Sequence, residues 1–363
     1  VGTSISSSQI SVAPIPSNSF NPSTIANLNL WLDGQHSSSV ELSNNLVSIW
    51  NDRSGQNNHF NRSGGTITYA EPSGINNRPA IYFQTAPSTY LSRTFNIAPT
   101  NELSLFMIVY HVSNVAGNSE LFYSNAGPTS PGYAYFDLFS NTNTPSGLLS
   151  FNIGNETQVS TGVDIKGSVN LVEVIINNNE AGSAQAFVNG TSIPSIPRGP
   201  LDLSNNITWA ISGGAFIGYI GEVITYTFDT TTTNRQRIEG YLAWKWGIQN
   251  NLPTNQPYKT APPILLTAPT ITGITGASQS LIVAFTQTIP VGVTITNYLY
   301  TTDNGATYRE LTPLDATSTL TITTLSSNGT TPLTNGTTYN VRIQAKTING
   351  LSPPSLPVQG TPS

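Results

Sequence analysis

Three kinds of side chain could carry chemistry in this 363-residue chain: eighteen carboxylates, three histidines and a set of tyrosines. Glycoside hydrolysis needs two carboxyl groups flanking one bond, one to give a proton and one to attack or to activate water. No two acidic residues stand closer than five positions, so the i, i+2 spacing that would put two acids on one face of a strand is missing. Glu222, in Gly221-Glu222-Val223-Ile224-Thr225-Tyr226, is the acid at the most suggestive strand position. Acid–base work needs a partner group. Glu222 has none along its strand, so it is expected to bond the edge of a sheet, and the chain is expected not to be an enzyme. His36, His59 and His111 lie far apart without metal-ligand spacing. The chain has no cysteine, which excludes disulfides and thiolate chemistry. Neither a Gly-rich phosphate loop with Lys nor a Gly-x-Ser-x-Gly elbow occurs. Tyr133 and Tyr135 share one parity with Phe139 and could stack a sugar ring. Phe136 and Leu138 fill the other parity, which is the pattern of a strand buried on both faces.

The elements that position these groups are organised around residues 213–247. Ile220, Glu222, Ile224 and Tyr226 alternate as in a strand. Ile238, Tyr241, Leu242 and Trp246 then recur at spacings of three and four, which places them on one face of a helix. Thr233 followed by Gln236 reads as a capping box, and Gly247 before Ile248 as a left-handed C-terminal cap. One amphipathic helix cannot bury Trp244 and Trp246 alone, so it must lie on a flat apolar surface. That surface comes from strands expected at 28–32, 47–50, 80–83, 103–112, 120–123, 133–139, 148–153, 171–176 and 184–188. Turn residues separate them, and Asn189-Gly190 is a strong hairpin signal. The spacing predicts an all-β antiparallel sandwich with one well-formed helix.

Composition narrows the partners. Charged residues make up 9% of the chain, against roughly 25% in typical soluble domains. The surface is therefore mostly Ser, Thr, Asn, Gln and Gly. Nucleic acid is not an expected partner, because phosphate neutralisation needs clustered cations and only thirteen Lys and Arg are spread along the chain. No apolar run of eighteen residues occurs, so membrane insertion by a helix is not expected. No signal peptide is expected at the start, and a first residue of Val leaves room for processing or a longer parent. Residues 1–24 read as an extended Ser/Pro-rich arm. Ile5, Ile10, Val12 and Ile15 are expected to dock it on the sandwich or on a neighbouring subunit.

Five blocks carry a family resemblance. They are Trp31-Leu32-Asp33; Val47 with Trp50-Asn51-Asp52 and Ser54-Gly55 leading to Asn58; Arg78-Pro79-Ala80 to Phe83; Gly221-Glu222 to Tyr226; and Tyr241-Leu242-Ala243-Trp244-Lys245-Trp246-Gly247. In this order they resemble the laminin-G-like branch of the concanavalin A-like lectin/glucanase superfamily. The resemblance covers residues 25–258 and implies a two-sheet jelly roll, with Trp31, Trp50, Glu222, Tyr241, Trp244, Trp246 and Gly247 in structural roles. Phe83-Gln84-Thr85 departs from it, since relatives turn there with Asp or Asn and Gly. The glucanase branch uses carboxylates two residues apart on one strand, which this chain lacks. Laminin-G-like domains sometimes hold calcium on a loop through an Asp, and Asp52 is the candidate ligand here. The competing reading is that Asp52 closes an Asx turn with Ser54 and Gly55. No other cofactor is expected.

Residues 259–264 read as a Pro-rich linker. Residues 265–363 then show seven short strands, at 271–274, 281–285, 294–300, 308–311, 319–323, 338–345 and about 357–360. Leu333, Tyr339-Asn340-Val341-Arg342-Ile343-Gln344-Ala345 and Asn349-Gly350 resemble the fibronectin type III family. Tyr339 stands as the tyrosine of its corner motif, and Phe285 where that family has a tryptophan. No Arg-Gly-Asp sequence occurs. The pairing of the two domains, with low charge and high Asn and Thr, resembles capsid-associated or fibre proteins of large DNA viruses. The expected function is a structural or attachment protein of a virion or extracellular surface, with other structural subunits and cell-surface glycans as partners. The alternative is a carbohydrate-binding accessory module of a secreted glycan-active enzyme.

Overall fold

The protein is described by a computed structural model over residues 20–84, 89–98, 102–124, 136–141, 147–154, 159–177, 182–198, 203, 206–227, 230–264, 266–290, 293–317, 319–347 and 350–363. It divides into two compact units, Asn21–Thr260 and Ala261–Ser363, the second also taking Phe20. Tyr133, Tyr135 and the arm residues Ile5, Ile10, Val12 and Ile15 lie outside the described residues.

The larger unit is a jelly roll. Its strands are β1 Leu28–Asp33, β2 Val40–Ser43, β3 Leu46–Trp50, β4 Phe60–Gly64, β5 Ile67–Ala70, β6 Ala80–Phe83, β7 Tyr90–Phe95, β8 Leu103–Ser124, β9 Phe136–Asn141, β10 Leu148–Ile153, β11 Val159–Asp164, β12 Val169–Ile176, β13 Gly182–Val188, β14 Thr191–Arg198 and β15 Ile207–Tyr226. β8 and β15 pair antiparallel along almost their whole length and belong to both layers. The first half of β8 and the second half of β15 carry β12, β13 and β14 on one side and β1, β6 and β5 on the other. The remaining halves carry β9, β10 and β11, and β7, β4, β3 and β2. The register shifts three times, between Gly214 and Phe216, Ile217 and Gly218, and Ile220 and Glu222. Bulges let a strand bend from one sheet into the other. Between the layers lies one core, with Met107, Val109, Phe122, Trp209, Ile220 and Val223 from the long pair and Trp50, Phe60 and Phe83 from the shorter strands.

The opposite face of the second half of β15 is covered by the single α-helix of the described residues, α1 Thr232–Trp246. Its N-cap is Thr231, whose hydroxyl accepts from the Asn234 N–H at 3.3 Å. The cap therefore falls two residues before the expected Thr233. A threonine run offers the same hydroxyl at successive positions, and the register that buries Ile238, Tyr241, Leu242 and Trp246 decides among them. Gly247 closes the other end at φ 73°, a left-handed conformation that costs glycine little. The last carbonyls are met from outside the helix: Asn76 Nδ2 donates to Trp246 O at 2.8 Å and Gln35 Nε2 to Lys245 O at 3.0 Å.

The second unit is an immunoglobulin-like sandwich of a three-stranded and a five-stranded sheet. Its strands are β16 Thr270–Ala277, β17 Ser280–Thr286, β18 Ile295–Thr301, β19 Arg309–Glu310, β20 Thr319–Ile322, β21 Tyr339–Thr347, β22 Gly350–Leu351 and β23 Val358–Gly360. Leu281, Val283, Tyr298, Leu320, Val341 and Ile343 fill its core. Tyr339 packs against that core and its hydroxyl accepts from the Thr334 N–H at 3.0 Å. Phe285 meets Tyr298 edge-on at 4.8 Å between centroids.

Expected strands 103–112 and 120–123 are parts of one strand, β8. β2, β4, β5, β7, β11 and β14 were not legible. β4 shows why: Phe60-Asn61-Arg62-Ser63-Gly64 buries only its first residue, so no alternation marks it. A Cβ on Gly221 would come within 2.8 Å of the Trp246 ring, so that ring is seated directly on the backbone of β15. Trp246→Ala is expected to cost about 3–5 kcal/mol by opening a cavity over Gly221, read as a fall in the denaturant midpoint.

Candidate functional site

The largest concentration of charge in the jelly roll is buried between β15 and α1. Glu222 and Asp33 are register partners on β15 and β1, which places both carboxylates under the helix. Lys245, in the last turn of α1, bridges them: its Nζ stands 2.7 Å from Glu222 Oε2 and 2.7 Å from Asp33 Oδ1. Arg53 Nη1 reaches the other Asp33 oxygen at 2.5 Å, and the guanidinium lies 4.1 Å over the Trp31 ring. Glu222 is met on both oxygens. Trp31 Nε1 and Tyr241 OH donate to Oε1 at 2.7 and 3.0 Å, and Trp246 Nε1 donates to Oε2 at 2.8 Å. Lys245 Nζ also donates to Tyr241 OH at 2.9 Å. Burial pushes the Glu222 carboxyl up, and the Lys245 charge pulls it back. The same burial, with the carboxylates beside it, raises the Tyr241 phenol well above its usual range.

This arrangement corrects the expectation for Glu222. It does not bond a sheet edge; it is fully buried at the centre of a donor set that consumes its lone pairs. Its partners come from positions up to 191 residues away in sequence, which is why strand-local reasoning saw no second group. Trp244 is half-buried and donates its indole N–H to Tyr258 O at 2.7 Å. Trp50 is fully buried in the core between the layers.

Asp52 organises the loop after β3. Its Oδ1 accepts from the Trp31 and Ser54 N–H groups at 2.9 and 2.8 Å, and its Oδ2 from Ser54 Oγ at 2.7 Å and the Asn58 N–H at 3.0 Å. A calcium ion needs six to eight oxygen ligands, with carboxylate lone pairs free to face it. Both oxygens of Asp52 already face donors, and the described residues contain no group of three or more His, Asp or Glu suited to a metal. The residues at Asp52 do not fit calcium.

Two further acid pairs escaped the sequence reading because each is assembled across elements. On β8 and β9, Glu120 and Asp137 stand close enough that Glu120 adds to the effect of burial on Asp137, whose carboxyl is pushed up to about 8. Asp137 is 7% exposed and its Oδ1 has no hydrogen-bond partner. Gly213 makes room for Glu120, since a Cβ there would lie 2.3 Å from Glu120 Oε2. Under the first half of α1, fully buried Glu173 and Glu239 face one Arg235. Burial first, then the charge of Glu239, raises the Glu173 carboxyl well above its ordinary value. Arg235 bonds Glu239 but stays 3.9 Å from Glu173, and its guanidinium lies 3.9 Å over the Phe187 ring. The i, i+4 spacing of Arg235 and Glu239 was the one visible signal.

A tyrosine row crosses three strands on the helix side of the sheet. Tyr82 and Tyr110 flank Tyr219 at 4.5 and 6.0 Å between ring centroids. The rings stack on one another, which supports the sheet and covers the faces of the central ring.

No protein-family model and no curated protein matches the chain. Among solved structures, it is similar to domain 4 of AbnA, an extracellular arabinanase from Geobacillus stearothermophilus, in complex with arabinotriose. That match has 17% identity, covers 56% of this chain and 94% of the other, and has a TM-score of 0.40. It is also similar to the Trypanosoma rangeli sialidase, at 14% identity, 57% of this chain and a TM-score of 0.42; the match spans only 31% of that enzyme. A third is from botulinum neurotoxin type C, whose cell entry depends on interaction with two ganglioside molecules. There the identity is 14%, the coverage 89% and 86%, and the TM-score 0.41. Likenesses of this size carry no argument about ligand or activity. The fold defines the class: an all-β protein of two antiparallel sandwiches, the larger a jelly roll and the smaller immunoglobulin-like. No helix among the described residues is long and apolar enough to cross a membrane.

Two measurements check these centres. Lys245→Met leaves Asp33 and Glu222 buried without their shared cation and is expected to cost about 3–5 kcal/mol, read by denaturant unfolding. For Asp137 the folded state holds its proton more tightly than the unfolded chain. Its stabilising contribution is complete below about 3.8 and is lost as pH rises through about 8. Asp137→Asn is expected to flatten the fall in melting temperature across that window.

Proposed function

We propose that the chain is a non-enzymatic attachment or structural protein of a virion or extracellular surface. In this reading a laminin-G-like jelly roll and a fibronectin type III domain display a neutral polar surface to other structural subunits and to glycans. The observation that carries it is the fate of Glu222: the strand carboxylate placed where catalysis could have been sought is occupied by Trp31, Tyr241, Lys245 and Trp246. A carboxylate spent on four internal donors cannot exchange protons with a substrate without breaking the seat of α1. Asp33, Arg53 and Lys245 are engaged in the same centre. What is left for the outside is mostly uncharged. Such a surface gives weak long-range steering and recognises neutral, hydrogen-bonding partners.

Two assays on the full chain test the reading. On a glycan array it is expected to bind a defined set of oligosaccharides, and in particle preparations to co-purify with structural subunits. Incubated with a polysaccharide panel, it is expected to release no reducing sugar. Release that stays with the protein through successive purification steps would overturn the reading, as would silence in both binding assays.

A further inference from the structure

One face of the jelly roll carries acceptors that the fold does not use. Leu138 of β9 pairs with Phe122 of β8 in the core between the layers, so Asp137 and its register partner Tyr123 point to the opposite face of that sheet. Phe139, two residues beyond Asp137, pairs with Glu120, which puts this second carboxylate on the same face. Asn152 of β10 is the register partner of Asp137 on its other side. On β15 the neighbours are small, Ala210 beside Tyr123 and Gly213 beside Glu120. A Cβ on Gly213 would lie 2.3 Å from Glu120 Oε2 and 3.1 Å from the Tyr123 hydroxyl, so both side chains lean over that glycine.

Asp137 is 7% exposed and makes no hydrogen bond, its Oδ1 being buried without a donor. Asn152 Oδ1 beside it is buried without a donor as well. Among the described residues no Lys, Arg or His pairs with Asp137 or Glu120. Burial raises the Glu120 carboxyl, and burial with the Glu120 charge pushes Asp137 up to about 8. The groups facing this pair from the packed strands are Tyr123 of β8 with Tyr90 of β7 beyond it, Asn152 of β10 and Gly213 of β15, and none is a cation. A buried acceptor without a donor costs the fold stability, and a ligand that brings donors recovers it.

What the set lacks selects its ligand. Carboxylate, amide and phenol oxygens without a cation repel an anion. A neutral polyol brings an acceptor with every donor, and those acceptors would face carboxylates. Calcium needs six to eight oxygens, and the described residues hold no group of three or more His, Asp or Glu suited to a metal. A primary ammonium brings three donors, no acceptor and one positive charge. A tyrosine ring beside it accommodates both the charge and an apolar stem.

We propose that Glu120, Asp137 and Asn152 form a site for a primary ammonium carried on an aliphatic stem, the group that a lysine side chain or a small alkylamine presents. The ammonium donates to both carboxylates and to Asn152 Oδ1, and its stem lies along the Tyr123 ring. Rotation about the soft χ2 of Asp137 turns either of its oxygens to the ligand. The site goes beyond the attachment reading and does not rest on it. Binding requires Asp137 ionised. The free protein keeps that proton up to about pH 8, so below this a proton leaves as the ammonium arrives, and affinity rises with pH. Above it affinity levels off until the amine loses its own proton, near about 10.

The test uses the full chain and n-butylamine as the probe, followed by NMR titration just above the Asp137 value. n-Butanol is the uncharged control, and tetramethylammonium the control without N–H donors. Butylamine is expected to bind, and each control to bind at least about tenfold more weakly. Asp137→Asn removes one charge at constant shape. It is expected to weaken butylamine at least about tenfold and to abolish the rise in affinity between about pH 6 and about pH 8. The fold already holds a neutral group there at neutral pH, so this variant is expected to keep its melting temperature. Glu120→Gln, from a partly exposed position, is expected to weaken butylamine as well. The site is overturned if butylamine does not bind, if both variants bind it as the parent does, or if butanol binds as tightly. Nα-acetyl-lysine methylamide in the same titration separates the sources. Its binding assigns the site to a lysine of another protein, and binding of butylamine alone assigns it to a small amine.

Discussion

Glu222 sits with no solvent exposure between a sheet and a helix, and the jelly roll is arranged so that it can stay there. Removing an ion from water costs several kcal/mol even after relaxation, and only excellent geometry with every lone pair met offsets this. Two tryptophan N–H groups, a phenol and an ammonium supply that geometry. Each donor comes from an element that must be in register for the bond to form: β1 for Trp31, and α1 for Tyr241, Lys245 and Trp246. The centre therefore fixes the helix on the sheet more narrowly than apolar contact could, because apolar packing tolerates small slips that hydrogen bonds do not.

The same constraint explains the glycines around it. Gly221 lets the Trp246 ring lie on the backbone of β15, and Gly34 lies so close to Gly221 that a Cβ there would be 2.7 Å from its carbonyl oxygen. Helix, strand and β1 thus meet without side chains to hold them apart. The cost of burying the Glu222 centre falls on the helix side of this sheet. On its other face the same sheet packs an almost wholly apolar core, where the bulges in β15 bend it from one layer to the next.

The remaining buried acids behave differently. Asp33 and Glu222 share a full complement of cations, whereas Glu173 with Glu239, and Asp137 with Glu120, do not.

The sequence by itself determined the class of fold, the position of α1 and its Gly247 terminus, and the strands whose apolar residues alternate. These depend on periodicity and on local backbone chemistry, both carried by neighbours in the chain. The blocks from Trp31 to Gly247 also marked residues for structural roles, without saying which of them meet. Only the tertiary structure decided what the charges do. Glu222 finds Trp31 across 191 positions, Asp33 finds Lys245 from the far end of the unit, and Glu173 finds Glu239 by the seating of α1. β4 belongs to the same class, since its place between β3 and β7 comes from those neighbours rather than from any pattern of its own. Electrostatic partnership acts through space over a few ångströms, and sequence distance does not record it until the sheet has closed.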